Sequence, residues 1–202
     1  YDNTNGIYDG VTMSAPVSQT VTGGSNWINF TTGGKLIASV LPGNQNMGVT
    51  EAQAYINVSP PFRHTNGQYY HDRNITIKPA AKNLSDSVPV RFYFLDKETD
   101  SLIVAKGCAG CTKPANYFEL GISKYDNEID SLENGSIADN FQGSWSFINA
   151  AKIKMVPYDK GYYAEFKVKG FSEFWLNNGG SSGNRSLPVE IVSFTARKIN
   201  NG

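Results

Sequence analysis

Val88-Pro89-Val90-Arg91-Phe92-Tyr93-Phe94-Leu95 reads as a β-strand in which Val90, Phe92 and Phe94 share one face. Strand side chains alternate with period two, so apolar residues at every second position mark a half-buried strand. The pattern recurs on both sides of this stretch. Upstream, Val17 to Thr22, Trp27 to Thr32 and Lys35 to Leu41 are strands separated by Gly23-Gly24 and Gly33-Gly34, and Gly48 to Val58 is closed by Pro60-Pro61. Gln68 to Lys78 follows Asn66-Gly67, two residues that tolerate positive φ and so mark a tight turn. Downstream, Leu102 to Lys106 pairs back across an Asp96–Ser101 turn. Tyr117 to Tyr125, Ser144 to Ile148, Ala151 to Val156, Gly161 to Val168, Phe171 to Leu176 and Val189 to Lys198 complete the set. A helical turn fits only within Asp126 to Asn140, and Asn177 to Asn184 reads as an exposed loop. Roughly ten to twelve short strands predict an all-β fold, an antiparallel β-sandwich of one large or two small packed lobes. Two lobes would divide near the polar segment Asn83–Ser87, giving a β-rich N-terminal lobe over 1–80 and a second module over 85–198.

Composition narrows the function. The 202 residues carry 18 basic and 18 acidic side chains, a net charge of +0 that provides no bulk attraction to phosphate backbones, so nucleic acid is not an expected partner. No apolar run reaches the roughly 20 residues of a membrane span. Charged residues make up 18%, and Asn, Ser, Thr and 20 glycines supply most of the remaining polarity, which suits turns and β surfaces. The chain opens at Tyr1 without a basic-then-apolar leader and reads as a segment of a longer chain whose neighbouring domains are its partners. Cys108-Ala109-Gly110-Cys111 lies among Gly107, Gly110 and Pro114 with no helical periodicity after it. A small disulfide-closed loop is the favoured reading over free or redox-active thiols. Two cysteines alone do not make a structural zinc site.

Phe171-Ser172-Glu173-Phe174-Trp175-Leu176, a Gly/Ser/Asn spacer and Leu187-Pro188-Val189-Glu190-Ile191-Val192-Ser193-Phe194-Thr195-Ala196 carry a resemblance. The segment resembles the signature of a β-rich module of secreted Bacteroidetes proteins, found upstream of C-terminal domains that bear a type IX secretion sorting signal. Val88–Leu95 and Gly161–Val168 resemble the same module, so the likeness covers about residues 85 to 198. It implies a secreted or cell-surface location, in keeping with a disulfide, and implies no catalytic residues. A chain ending at Asn201-Gly202 would lack the sorting domain itself.

Several constellations are candidates for chemistry. Asp96, Glu98 and Asp100 alternate in the expected hairpin turn and could converge on Ca²⁺, a possible cofactor that takes six to eight oxygens. Asp126-Asn127-Glu128-Ile129-Asp130 repeats the pattern, and for both the plainer reading is a solvated turn. His64 with His71 and Asp72 is a three-ligand metal candidate, against which surface histidines are the plainer expectation. Glycoside hydrolysis needs two acids facing across a cleft, and Glu119, Glu165, Glu173 and Glu190 lie in or beside strands, where outward-facing positions are commoner. No Gly-x-Ser-x-Gly elbow supports a serine nucleophile.

The aromatic inventory points elsewhere. Exposed rings beside amides form carbohydrate platforms, since sugar C–H faces stack on rings while hydroxyls bond to amides. Trp27 beside Asn26, Trp145 beside Gln142, and one ring each of Tyr69-Tyr70 and Tyr162-Tyr163 are the expected ligand contacts; Trp175 is expected in the core or at its rim. The sequence therefore predicts a non-catalytic extracellular accessory module binding polysaccharide or a surface glycan. The alternatives are a structural spacer next to a sorting domain and a small glycoside hydrolase.

Overall fold

A computed structural model describes residues 5–127, 129–140 and 143–180, which form two antiparallel sheets packed face to face. Twelve strands are present among them: β1 (Val17–Val21), β2 (Ile28–Thr32), β3 (Lys35–Val40), β4 (Gly48–Ile56), β5 (Phe62–Thr65), β6 (Gln68–Pro79), β7 (Val88–Leu95), β8 (Gly121–Asp126), β9 (Ser144–Ile148), β10 (Lys154–Tyr158), β11 (Gly161–Val168) and β12 (Glu173–Asn177). A seven-stranded sheet runs β1-β4-β6-β12-β8-β9, with β5 also paired to β6; a five-stranded sheet runs β10-β11-β7-β3-β2.

Alternation builds the core as expected. Val90, Phe92 and Phe94 of β7 are each 0% exposed and meet Phe30, Ile37 and Phe166 of their own sheet and Ile75, Ile122, Phe174 and Leu176 of the other. Each such side chain contributes about 1.5–3 kcal/mol by leaving water. Both sheets take strands from both sides of the 80–87 connection, and one core cluster spans them. That connection therefore joins two sheets of one sandwich and does not separate two lobes. The Asn66-Gly67 turn forms, with φ of 48° and 75°, and joins β5 to β6.

Three local expectations change. Asp96–Ser101 is not a hairpin turn: Asp96–Ile103 is an α-helix (α1), and no strand follows at Leu102–Lys106. Glu98 and Leu102, four apart, fall on one helical face and are buried, while the Glu98 carboxylate accepts the Leu95 N–H at 2.8 Å, and acids in the first turn suit the helix dipole. Tyr117–Glu119 and Ala150–Lys152 are 3-10 turns, because Asn116 and Asn149 side chains cap Phe118 and Ala151 N–H at 2.9 Å each; β8 and β10 start only beyond them. Asn177 and Asn178 are buried where an exposed loop was expected; residues 181–184 of that loop, Glu190 and the Val189–Lys198 strand lie outside the described residues. Among the described residues no helix is long and apolar enough to cross a membrane.

Candidate functional site

The outer face of the five-stranded sheet carries a row of polar side chains. Register aligns Asn29 of β2 with Ser39 of β3, Ser39 with Arg91 of β7, Arg91 with Glu165 of β11, and Glu165 with Lys154 of β10. Residues in register on neighbouring strands lie about 4.8 Å apart, so the row crosses the sheet over roughly 19 Å. Its members are tied together: Ser39 Oγ donates to Asn29 Oδ1 at 2.7 Å and lies 2.9 Å from the Tyr93 hydroxyl, and Arg91 Nε donates to Glu165 Oε2 at 2.9 Å. Burial raises the Tyr93 pKa, so that hydroxyl stays neutral.

Aromatic rings flank the row. The Arg91 guanidinium lies between Trp27, 3.8 Å from the ring centre, and Tyr163, at 4.5 Å. Tyr163 and Tyr158 also pack edge-on to Tyr93, over Ile7, Leu36 and Leu95. The N-terminal segment closes that end, with Ile7 N–H on Asp159 Oδ2 at 2.8 Å. Stacked between two rings and paired with Glu165, Arg91 is ordered in advance, which lowers the entropy cost of using it in binding. Asn29 and Lys154 are exposed, and Trp27, Arg91, Tyr163 and Glu165 are partly exposed.

The expected ligand contacts do not converge. Trp27 and exposed Asn26 lie beside the row. Trp145 is on β9 of the other sheet, 37% exposed, packed on Tyr70 and Tyr125 with its indole N–H on Asn140 O at 3.2 Å. Tyr69 and Tyr70 were expected to leave one ring in solvent, but both are buried. Tyr69 points into the core and donates no face to solvent, and Tyr70 lies under Trp145 and Trp175. Tyr162 stacks on core Phe94, so its partner in the pair, Tyr163, is the ring on the outer face of the five-stranded sheet. Trp175 is 0% exposed, as expected of a core or rim residue.

The seven-stranded sheet carries a different polar cluster on its outer face, covered by the 129–140 segment. Glu173 is 0% exposed and accepts from Asn74 Nδ2 at 3.0 Å, Gly135 N at 2.6 Å and Asn140 Nδ2 at 2.6 Å. Desolvation pushes its carboxyl up to about 7, against which the Asn140 and Gly135 hydrogen bonds and the Arg63 charge pull down. Arg63 stacks over Trp175 at 4.7 Å and is held down to about 10 by its own desolvation. Glu173 thus faces outward from the sandwich, as alternation requires, but not into water. Its partners are amides, a backbone N–H and a guanidinium, not the second carboxylate that hydrolysis calls for. Glu119 accepts the Ala115 N–H at 2.9 Å, and Glu165 belongs to the open row.

The three acids expected to hold Ca²⁺ do not converge either. Asp96 and Asp100 are exposed on α1, with Asp100 accepting from the Tyr117 hydroxyl at 2.8 Å. Glu98 turns inward to Arg73, whose Nε and Nη2 reach its oxygens at 2.7 to 3.1 Å, because the helix replaces the turn that would have brought the three acids together. His71 is buried where a surface histidine was expected, its Nε2 3.0 Å from Thr99 Oγ1 and its ring edge-on to Phe94. Its Nδ1 lies 3.3 Å from Asp72 Oδ1, and with Glu98 these ligand atoms fall within 4.8 Å of one another. The Glu98 oxygens are already engaged by Arg73 and Leu95 N, which leaves His71 and Asp72 as the pair open to an ion. His64 is exposed beside Cys108 and Cys111, which are disulfide-bonded and offer no thiolate. No protein-family model matches the chain, and no curated protein matches it.

Proposed function

We propose that this chain is a non-catalytic accessory module that binds polysaccharide or a surface glycan through the outer face of its five-stranded sheet. The Asn29–Ser39–Arg91–Glu165–Lys154 row, flanked by Trp27 and Tyr163, carries the reading. Ring faces accept sugar C–H surfaces, and the exposed Asn29 amide and Lys154 ammonium with the partly exposed Arg91 guanidinium and Glu165 carboxylate match hydroxyls as both donors and acceptors, while buried Ser39 holds Asn29 in place. A shallow sheet face of this kind holds an extended chain, whereas a hydrolase needs two acids across a cleft. The resemblance to the secreted module supports an extracellular or cell-surface address, and the Cys108–Cys111 disulfide agrees with an oxidising compartment.

Glycan-array binding of the purified chain, repeated with Trp27→Ala and Tyr163→Ala, tests this. Binding to at least one glycan class, weakened by both substitutions, is expected. No affinity for any glycan from a folded protein would leave the structural-spacer reading in its place.

A further inference from the structure

Beside the polar row, the β9 edge of one sheet approaches the β10–β11 edge of the other and leaves a groove of about 470 Å³. Phe147, Ile148 and Phe166 line it, and Lys152, Lys154 and Lys167 stand along it. All three lysines are exposed, and none forms an ion pair among the described residues. Glu165, the carboxylate in the same lining, is already paired with Arg91 at 2.9 Å. A chain whose formal net charge is +0 thus places three uncompensated cations at one groove. Lys154 is both a member of this trio and the end of the row, and Glu165 belongs to both surfaces, so groove and row are continuous.

From this continuity we infer that the bound glycan is a polyanion, carrying uronate carboxylates or sulfate esters, whose charged groups meet Lys152, Lys154 and Lys167 while its rings lie along Trp27, Arg91 and Tyr163. The inference rests on the glycan-binding reading and narrows it. Lysines act here as point charges that match either anion, and three of them along one groove sum their attraction for a chain that carries repeated negative charges. The aromatic half of the site demands sugar rings, so an anionic chain without them forfeits half of the contacts.

Calorimetric titration with polygalacturonate, its carboxyl-reduced neutral polymer, dextran sulfate, dextran and polyglutamate tests the inference. Polygalacturonate or dextran sulfate, whichever carries the matching anion, is expected to bind at least roughly tenfold more tightly than its neutral counterpart, with affinity falling as salt rises. The double variant Lys154→Gln/Lys167→Gln is expected to lose roughly tenfold toward that polyanion and to keep its melting temperature. Equal binding of neutral and charged polymers, unaffected by the lysine variant, overturns the anionic assignment and leaves glycan binding standing. Polyglutamate binding as tight as the charged glycan reduces the lysines to a general anion patch and also overturns it. Silence toward all five polymers, together with an empty glycan array, removes the binding reading itself.

Discussion

The two outer faces of the sandwich are built from the same chemical groups and arrive at opposite states. On the seven-stranded sheet, Glu173, Asn74 and Asn140 are buried beneath the 129–140 segment and bond to one another, with the partly buried Arg63 beside them. On the five-stranded sheet, the Asn29–Ser39 and Arg91–Glu165 pairs lie in one row; Ser39 is buried, but Asn29 is exposed and Arg91 and Glu165 are partly exposed. Cover decides the role. Buried amides and a carboxylate that satisfy each other hold a loop in place and shift a pKa, whereas the same groups in the open keep their remaining donors and acceptors for a partner.

The covered face breaks most readily. Glu173→Ala leaves two amides and a backbone N–H without their acceptor and takes a neighbouring negative charge from Arg63, and is expected to cost about 3–5 kcal/mol in denaturant unfolding. Glu173→Gln is expected to cost far less, because Asn140 Oδ1 has no hydrogen-bond partner and an amide flip would offer it to the new NH₂. A Gln variant as damaging as the Ala variant would mean that the negative charge itself holds the loop.

The next largest effect is on pH dependence. The Glu173 carboxyl is pushed up to about 7 from an ordinary value of 4.5, so between those values the folded state binds more protons than the unfolded one. Stability from this group is fully present below the ordinary value and declines as pH rises to the folded one, by up to about 3 kcal/mol. Melting curves of wild type and Glu173→Gln at pH 5 and pH 8 check this, the Gln variant losing the decline. Arg91–Glu165 on the open face is expected to add little to either curve.

How much of this was legible in the sequence depends on the range of the interaction. Alternation in Val88–Leu95 fixes which residues enter the core and, by subtraction, that Arg91 and Tyr93 face out. It does not tell which strands become neighbours, and the row exists only because β3, β7, β11 and β10 pair in one register. For the same reason Tyr163 could not be chosen over Tyr162 from a Tyr-Tyr pair, nor Tyr70 known to lie under Trp145. The helix at Asp96–Ile103 had a local trace in the Leu95-to-Glu98 spacing of a capping interaction, masked by acids whose alternation also suits a turn. Burial of Glu173 left no trace, because the segment that covers it is more than 30 residues away, a separation recorded in its bond to Asn140.

Smaller effects sharpen the contrast. Cys108→Ser/Cys111→Ser opens a loop closed over a sequence separation of 3 and is expected to cost about 2 kcal/mol or less, with glycan affinity unchanged. The Cys108 N–H on the Tyr69 hydroxyl at 2.7 Å ties that loop to the core end of β6, away from the open row. On the open face, Trp27→Ala is expected to weaken glycan binding roughly tenfold while changing stability by less than about 1 kcal/mol. Trp145→Ala should do the reverse, lowering stability through Tyr70 and Tyr125 while binding persists.

The most direct measurement is a backbone and side-chain NMR titration of the chain with the glycan that binds it best on an array. Shifts confined to Trp27, Asn29, Ser39, Arg91, Tyr163, Glu165 and the groove lysines Lys152, Lys154 and Lys167 are the predicted result. Shifts centred on Trp145 and the 129–140 segment, or none at saturating glycan, would contradict the assignment of binding to the five-stranded face.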